Sequence, residues 1–155
     1  MTRSIVIEPI GVVAAGRTEP RDDLWGSEVA TIVIDSRFPD DATAGLEAFS
    51  HIEVIFQFDR VDPGDIHTGA RHPRNRADWP AVGIFAQRAK ARPNRLGLTT
   101  CELLQVDGHR LTVRGLDAID GSPVLDIKPA MDEFLPRSPL RQPDWSRELM
   151  QRYWA

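Results

Sequence analysis

Short runs of apolar and β-branched residues alternate with turn-forming residues along most of the chain. Runs of this length, many with apolar residues at every second position, predict β-strands rather than helices. Asp107-Gly108 lies between two of the runs and indicates a β-hairpin, because a tight turn there needs a positive φ. The predicted strands are residues 5–13, 29–34, 52–58, 81–85, 98–106, 111–116 and 124–127.

Helical patterns are confined to two short segments. Asp40 and Asp41 are expected to cap a short helix that ends at Phe49, although Gly45 lowers its helix propensity. Asp144 is expected to cap a C-terminal helix with one apolar face. That face consists of Trp145, Leu149 and Tyr153.

These elements predict a mainly β fold. Six or seven short strands with few helices are typical of a small closed or nearly closed β-barrel, here mostly antiparallel with some mixed pairing. One or two short helices, including the C-terminal one, would accompany the barrel. No linker, repeat or low-complexity tract interrupts the chain, so residues 1–155 are expected to form a single domain.

The amino-acid composition indicates the cellular compartment of the protein. The chain has 155 residues and one cysteine, Cys101, which excludes an intramolecular disulfide framework and favours a reducing cytoplasm. No apolar run approaches the roughly 18 residues that a membrane span needs. Residues 1–10 lack the features of a signal peptide. We therefore expect a cytoplasmic protein without a membrane partner.

The charge is distributed unevenly. The net charge of −4 argues against a polyanionic partner, yet residues 71–95, the basic window, carry +6 and the rest of the chain carries −10. Arginine accounts for 17 of the 19 basic residues, and its guanidinium binds phosphates bidentately and stacks on bases. The window is therefore either a solvated loop or a surface for a polyanion. It contains Arg71, Arg74, Arg76, Arg88, Lys90, Arg92 and Arg95, with Asp78 as its one acidic residue.

Several common catalytic motifs are absent. The glycines form neither a dinucleotide fingerprint nor a P-loop, and there is no Gly-x-Ser-x-Gly nucleophile elbow. The four histidines lie too far apart to form a ligand pair, so no metal site is predicted. Cys101 follows two threonines within a predicted strand and is expected to pack in the core.

Two segments remain as candidates for chemistry. In residues 83–98 a strand is followed by an arginine-rich loop that turns at a proline and an asparagine, which hold turn geometry. In residues 115–129 Asp117 and Asp120 lie in a turn between two strands. These aspartates either stabilise the turn, or accept hydrogen bonds from the hydroxyls or the cationic group of a ligand.

The core of the first segment is Arg92-Pro93-Asn94, and the second contains Asp117-x-x-Asp120-Gly121-x-Pro123-x-x-Asp126-Ile127-Lys128-Pro129. This pair of motifs resembles the TsaA/TrmO-like family, and the resemblance extends from residue 7 to residue 129. Studied members are S-adenosylmethionine-dependent tRNA N6-methyltransferases built on a small β-barrel. They act on the threonylcarbamoylated adenosine beside the anticodon, at position 37. The resemblance therefore implies this barrel, this methyl donor and a tRNA substrate.

The resemblance also implies a donor pocket and a homodimer, because in such members the donor lies against loops at a dimer interface. The donor carries a ribose diol, an ammonium and a carboxylate. Asp117 and Asp120 suit the hydroxyls and the ammonium, and Arg88 suits the carboxylate. The implied pocket residues are Pro20, Arg21, Asp22, Asp59, Arg60, Arg88, Leu98, Asp117, Ala118, Ile119 and Asp120.

Catalytic roles can be assigned from the chemistry of methyl transfer. In-line displacement depends mostly on positioning two reactants, and a base near the exocyclic nitrogen assists its deprotonation. Asp120 is the expected base, with Asn94 or Lys128 orienting the acceptor. The basic window is expected to meet tRNA phosphates.

The sequence departs from the family at Ala130, where many members have tyrosine, and we expect it to lack the extra C-terminal domain of many bacterial members. Two other functions therefore stay open. One is a module that binds the adenosyl cofactor or a nucleic acid without catalysis. The other is methyl transfer to an acceptor other than tRNA.

Overall fold

Six strands close into a β-barrel in the computed structural model, which describes residues 2–155. The strands of the chain are β1 (Gly11–Ala14), β2 (Val29–Ile34), β3 (His51–Gln57), β4 (Ala70–Arg71), β5 (Val82–Gly83), β6 (Leu96–Asp107), β7 (Arg110–Arg114) and β8 (Pro123–Pro129). The order around the barrel is β1-β2-β7-β6-β3-β8, and β4 pairs with β5 in a separate two-stranded sheet. The predicted fold class is therefore confirmed.

The helical elements are short. One α-helix, α1 (Asp144–Met150), follows the barrel. The 3-10 turns are Asp40–Thr43, Leu46–Ala48, Pro63–Asp65, Pro73–Asn75, Ile84–Ala86, Pro93–Arg95 and Asp132–Phe134. Within residues 2–155 no helix has both the length and the apolar character to cross a bilayer.

Alternate residues of the strands fill the barrel interior. In β3, Ile52, Val54 and Phe56 are buried, whereas the residues between them face outward. Gly97 of β6 pairs with Phe56, and a Cβ atom at Gly97 would lie 2.4 Å from the Phe56 ring. The missing side chain at Gly97 therefore makes room for the phenyl ring. Cys101 is buried in the same core, as expected.

The predicted hairpin is confirmed. Asp107 at the end of β6 pairs with Arg110 at the start of β7, so the turn consists of Gly108 and His109. Gly108 has a φ of +54°, the left-handed conformation that the tight turn was expected to need. The strand predicted at residues 29–34 coincides with β2.

Other strand predictions need correction. The expected mixed pairing was wrong, because every pairing among residues 2–155 is antiparallel. The run at residues 5–13 pairs only from Gly11 onward, so Ile5, Val6 and Ile7 remain exposed. In the run at residues 81–85 only the two residues of β5 pair, because the chain turns at Ile84 into a 3-10 turn.

The predicted C-terminal helix is confirmed, whereas its predicted cap and the first helix were wrong. The segment from Asp40 to Phe49 forms two 3-10 turns instead of one helix, because Gly45 between them has a φ of +86°. Asp144 does not cap α1: Pro143 holds the cap position, and no side chain caps the helix end. Asp144 lies in the first turn, where its negative charge still favours the helix dipole.

Three long connections leave the barrel at one end, which we call the site end. Strands β1, β3 and β7 finish there, and they are followed by residues 15–28, 58–95 and 115–122. Gln57 pairs with Leu96, so residues 58–95 form one long hairpin loop between β3 and β6. The site end therefore collects loops from three separate parts of the sequence.

The opposite end holds an apolar cavity of about 540 Å³. It lies beneath the two 3-10 turns of residues 40–48, between the ends of β2 and β8 and the start of β7. Phe38, Leu46, Phe49 and Leu111 contribute to its apolar lining, and Asp126 is its one acidic lining residue. This cavity and the long loops are thus separated by the length of the barrel.

Candidate functional site

The site end brings together the predicted site residues from all three connections. Residues 15–28 carry one group, residues 58–95 a second and residues 115–122 a third, and Leu98 lies near the start of β6. The three groups are Pro20, Arg21 and Asp22; Asp59, Arg60, Arg88 and Asn94; and Asp117, Ala118, Ile119 and Asp120.

Lys128 does not join this group. It pairs with Glu53 in the part of β8 that leads towards the opposite end, and its ammonium lies 3.1 Å from the Asp126 carboxylate. Lys128 lies five positions along β8 from Pro123 at the site end, a span of roughly 16 Å.

The Asp117 carboxylate is held by two buried or partly buried hydroxyls. Thr99 Oγ1 donates to Oδ1, and the Tyr153 hydroxyl donates to Oδ2. Burial and the Asp117 charge raise the pKa of Tyr153, so its phenol stays protonated as a donor. Burial, and to a lesser extent Asp117, also raises the pKa of Cys101 to about 12. Asp117 is thus a fixed negative charge at the mouth of the barrel.

The turn after Asp117 is fixed through its backbone. The Asp120 amide donates to the Arg17 carbonyl at 2.8 Å, and the Gly121 amide donates to the Val13 carbonyl at 2.7 Å. Gly121 has a φ of +85°, which favours glycine at this position. Within residues 2–155 no hydrogen bond or ion pair involves the half-buried Asp120 carboxylate, which leaves it available to a ligand.

Arginines fasten the long loop of residues 58–95. Arg88 Nη2 donates to the Leu98 carbonyl at 2.5 Å, and Arg92 Nη1 donates to the Gln87 carbonyl at 2.6 Å. Arg95 Nη1 donates to the Val61 carbonyl at 2.8 Å. A carbonyl partner satisfies part of a guanidinium but does not neutralise it, so these arginines keep their full charge.

The basic window keeps most of its positive charge. Arg74 forms an ion pair with Asp23 at 2.9 Å, and Arg76 forms an ion pair with Asp78, which lowers the pKa of the Asp78 carboxyl. Among the residues that the structure describes, no acidic side chain lies within ion-pairing distance of the other five cations. They are Arg71, Arg88, Lys90, Arg92 and Arg95.

Arg17, which no sequence pattern singles out, organises the loop that carries Pro20, Arg21 and Asp22. Arg17 is 8% exposed, and its guanidinium binds the Glu28 carboxylate and the carbonyls of Asp23 and Leu24. It also lies 3.8 Å above the Trp25 ring. No short motif marks these contacts in the sequence. Within residues 2–155 no cluster of three or more potential metal ligands occurs.

The C-terminal segment returns from the opposite end to the site end. The amides of Leu24 and Trp25 donate to the carbonyls of Arg152 and Tyr153 at 3.0 and 2.8 Å. Trp79 Nε1 in the basic window donates to the Glu148 carboxylate of α1 at 2.8 Å. Residues 144–154, which we call the C-terminal strap, therefore contact all three loop connections.

Comparison with known proteins identifies the family of the chain. The family described as "tRNA-methyltransferase O N-terminal domain" matches residues 15–134. The chain belongs to this family. The expected resemblance to the TsaA/TrmO-like family is thereby confirmed, and the matched range contains both motifs on which it rested. Only the first residues of the chain and those after residue 134, including the strap, lie outside the matched range.

Relatives within the TrmO N-terminal-domain family differ in how much of them the chain covers. A "Probable S-adenosyl-L-methionine-binding protein" of Methanothermobacter thermautotrophicus is 42% identical over 136 residues, which are 84% of this chain and 93% of the relative. The human "tRNA (adenine(37)-N6)-methyltransferase" is 32% identical over 141 residues, 86% of this chain and 32% of the relative. The chain thus spans about a third of the human enzyme.

A solved structure of a family member shares the fold. The crystal structure of TrmO from Pseudomonas aeruginosa superposes with a TM-score of 0.70 at 29% sequence identity. The match covers 91% of this chain and 61% of the TrmO chain.

Proposed function

We propose that this protein is an S-adenosylmethionine-dependent methyltransferase that N6-methylates the threonylcarbamoylated adenosine at position 37 of tRNA. The observation that carries the proposal is the site end, where an available carboxylate in the turn of residues 117–120 lies at the same end as a loop with uncompensated positive charge. Family relatives named as adenine-37 methyltransferases and as S-adenosylmethionine-binding proteins support it.

The residues at the site end suit the proposed methyl donor. The Asp120 carboxylate can accept hydrogen bonds from ribose hydroxyls or an ammonium, and the exposed Arg88 guanidinium can bind a carboxylate. Leu98 beside Arg88 is half-exposed and offers an apolar contact to a base. When bound, the donor supplies an electrophilic methyl group on a sulfonium. Asp117, held by two hydroxyls, contributes a fixed negative charge that favours a cation.

Catalysis would depend mainly on holding two reactants in line. Asp120 Oδ is the proposed acceptor of the proton from the exocyclic nitrogen. Asn94 is exposed at a φ of +63° within the fastened loop and is the proposed group that orients the acceptor base. Lys128 has no part in this proposed arrangement, because the barrel separates it from the turn of residues 117–120.

The basic window is the proposed tRNA contact. Five cations without acidic partners attract phosphates, and arginine also stacks on bases. Three of them, Arg88, Arg92 and Arg95, donate to backbone carbonyls, which keeps the loop ordered before binding and lowers the entropy lost on association.

We further propose that the protein works in the cytoplasm as a homodimer that forms through the outward face of β6 at the site end. Leu96 and Leu98 are 39% and 50% exposed there, and Phe85 of the adjoining long loop is 79% exposed. Exposed apolar side chains on the same side of a protein as polar site residues are typical of an interaction surface. A second copy on this face would enclose the donor site and bring the basic windows of the two copies side by side.

Donor binding and methyl transfer can be tested one after the other. S-adenosylmethionine at 100 times its dissociation constant should add about 2.7 kcal/mol to the free energy of unfolding, measured by thermal unfolding. Labelled methyl groups should then enter tRNA that carries threonylcarbamoyladenosine at position 37 and should not enter tRNA that lacks this modification. An absence of both effects would overturn the proposal.

The window can be tested separately from the donor site. Lys90→Glu should raise the KM for tRNA at least about fivefold and reduce the salt dependence of binding, because one phosphate contact becomes repulsive. The dissociation constant for the donor should stay unchanged. Arg110→Glu, the same change of charge at the opposite end of the barrel, is the matched control. Equal effects of the two variants would contradict a local role of the window.

A second candidate is a module that binds the adenosyl cofactor without catalysis. The chain covers 93% of a relative named as an S-adenosylmethionine-binding protein but only 32% of the human methyltransferase. Donor binding without label in any tRNA would favour this module. Label in a small molecule, together with salt-insensitive activity, would instead favour a non-tRNA acceptor.

A further inference from the structure

The C-terminal strap connects parts of the site end that are distant in sequence. At one point Glu148 accepts a hydrogen bond from Trp79, which is 4% exposed within the basic window. At another, the backbone of Arg152 and Tyr153 pairs with Leu24 and Trp25, beside the Pro20–Asp22 stretch. At a third, the Tyr153 hydroxyl reaches the Asp117 carboxylate.

The contact with Asp117 has a chemical role that the other two lack. A carboxylate that accepts hydrogen bonds at both oxygens cannot rotate without breaking one of them, and Thr99 and Tyr153 supply these two bonds. Thr99 belongs to the barrel wall, whereas Tyr153 belongs to the strap. The orientation of Asp117 therefore depends on whether the strap is docked.

We propose that Tyr153 is a positioning residue of the donor site, whose hydroxyl fixes the Asp117 carboxylate and with it the turn of residues 117–120. This inference rests on the proposed donor binding. Tyr153 acts through Asp117, and the strap lies beyond residue 134, where the family match ends. The donor site is therefore completed by residues outside the matched part of the barrel.

The test is Tyr153→Phe, which keeps the ring and removes only the hydroxyl. The dissociation constant for S-adenosylmethionine, measured by titration calorimetry on the full chain, should rise about tenfold, because a hydrogen bond to a charged group is lost. The kcat at saturating donor should change less than about twofold. Thr99→Val removes the opposite bond with an isosteric side chain, and it should raise the same dissociation constant.

Leu111→Val is the control for a merely structural role, because it removes core packing at the opposite end of the barrel, away from the strap and from Asp117. It should lower the unfolding temperature while the dissociation constant for the donor stays within about twofold of the wild-type value. Equal dissociation constants for wild type and Tyr153→Phe would overturn the inference and leave the proposed function standing. Equal increases from Tyr153→Phe and Leu111→Val would also overturn it. A wild-type protein that binds no donor would instead overturn the proposed function, and the inference with it.

Discussion

At the scale of single residues, two glycines allow close packing because they have no side chain. Gly97 faces the buried ring of Phe56, and Gly26 faces the backbone of Trp154. In both places a Cβ atom would lie less than 3 Å from its neighbour. A protein interior packed this closely has no room for an added methyl group. Glycine at these two positions is therefore what allows the two pairs of segments to be in contact.

Gly97→Ala should destabilise the barrel by about 1–3 kcal/mol, because the methyl group forces the Phe56 ring out of its position. Urea unfolding followed by circular dichroism measures the difference. Gly83→Ala is the matched control, since nothing lies within 4 Å of the position of its Cβ atom. A loss at Gly83 as large as that at Gly97 would contradict the packing argument.

Cys101 makes stability depend on pH in the alkaline range. Its pKa is raised to about 12 in the fold, by burial first and by Asp117 second, whereas an unfolded chain has a thiol pKa near 8.5. Between these values the unfolded state binds fewer protons, so the free energy of unfolding falls as pH rises. The slope should approach about 1.4 kcal/mol per pH unit above pH 9.

Urea unfolding at pH 8.0 and pH 9.5 tests this slope. Cys101→Ala should be less stable than the wild type at pH 8.0 because it leaves a small cavity. Its stability should nevertheless fall less between the two pH values. Parallel pH profiles for the two proteins would show that the thiol is not the group responsible.

At the scale of elements, the C-terminal strap connects the loops of the site end. Its attachment consists of backbone pairing with residues 24 and 25 and of side-chain contacts to Trp79 and Asp117. The strap residues are exposed or half-buried, whereas the strands supply most of the buried core, and an element of the first kind opens more readily. The strap is therefore the part of the site end whose docking a single substitution can change.

Gly26→Ala should release the strap, because its Cβ atom would lie 2.0 Å from the Trp154 carbonyl oxygen. Carboxypeptidase digestion should then remove the C-terminal residues at least about tenfold faster than in the wild type, while the circular dichroism of the barrel stays the same. Gly69→Ala, where nothing lies within 4 Å, should be digested at the wild-type rate.

The sequence predicted those elements whose pattern is decided locally. Alternation identified β2 and the core strand β3, and Asp107-Gly108 identified the β6–β7 turn. The exposed stretch from Ile5 to Ile7 has the same β-branched character, but a strand also needs a neighbouring edge, which the sequence does not reveal.

The candidate site was predictable only where its residues lie in short motifs. Asp117, Asp120 and Arg88 could be singled out in this way, and the structure places them at the same end of the barrel. The contacts of Thr99 and Tyr153 with Asp117 could not be predicted, because these residues lie 18 and 36 positions away from it in the sequence. Arg17 could not either, since its three oxygen partners, one carboxylate and two backbone carbonyls, are brought together only by the folded loop.

At the scale of the whole molecule, the barrel separates two different environments. The site end has the long polar loops and the basic window, and the opposite end has the apolar cavity and the short hairpin of β6 and β7. The outward face of β6 extends between them, with Leu96 near the site end and Leu104 towards the other. These two leucines are equally exposed, so substituting each in turn tests which end of β6 forms the proposed dimer interface.

Leu96→Glu should convert the dimer into a monomer, because it places a charge within the proposed apolar interface. Sedimentation velocity at micromolar concentration measures the change. Leu104→Glu should remain dimeric. A wild-type protein that sediments as a monomer, or a dimer that Leu104→Glu disrupts and Leu96→Glu does not, would contradict the proposed interface.

The pairing of Gln57 with Leu96 means that the barrel closes without any help from residues 58–95. Two hydrogen-bonded strands that meet at the base of a long loop form a natural junction, and lengthening such a loop costs little closure entropy. The sequence of this loop can therefore diverge between lineages, or be exchanged in a chimera, while the strands of the barrel stay the same. Because Arg88 and Asn94 lie in this loop, such an exchange would change the proposed tRNA contact together with part of the proposed donor site, while Asp117 and Asp120 would stay in place.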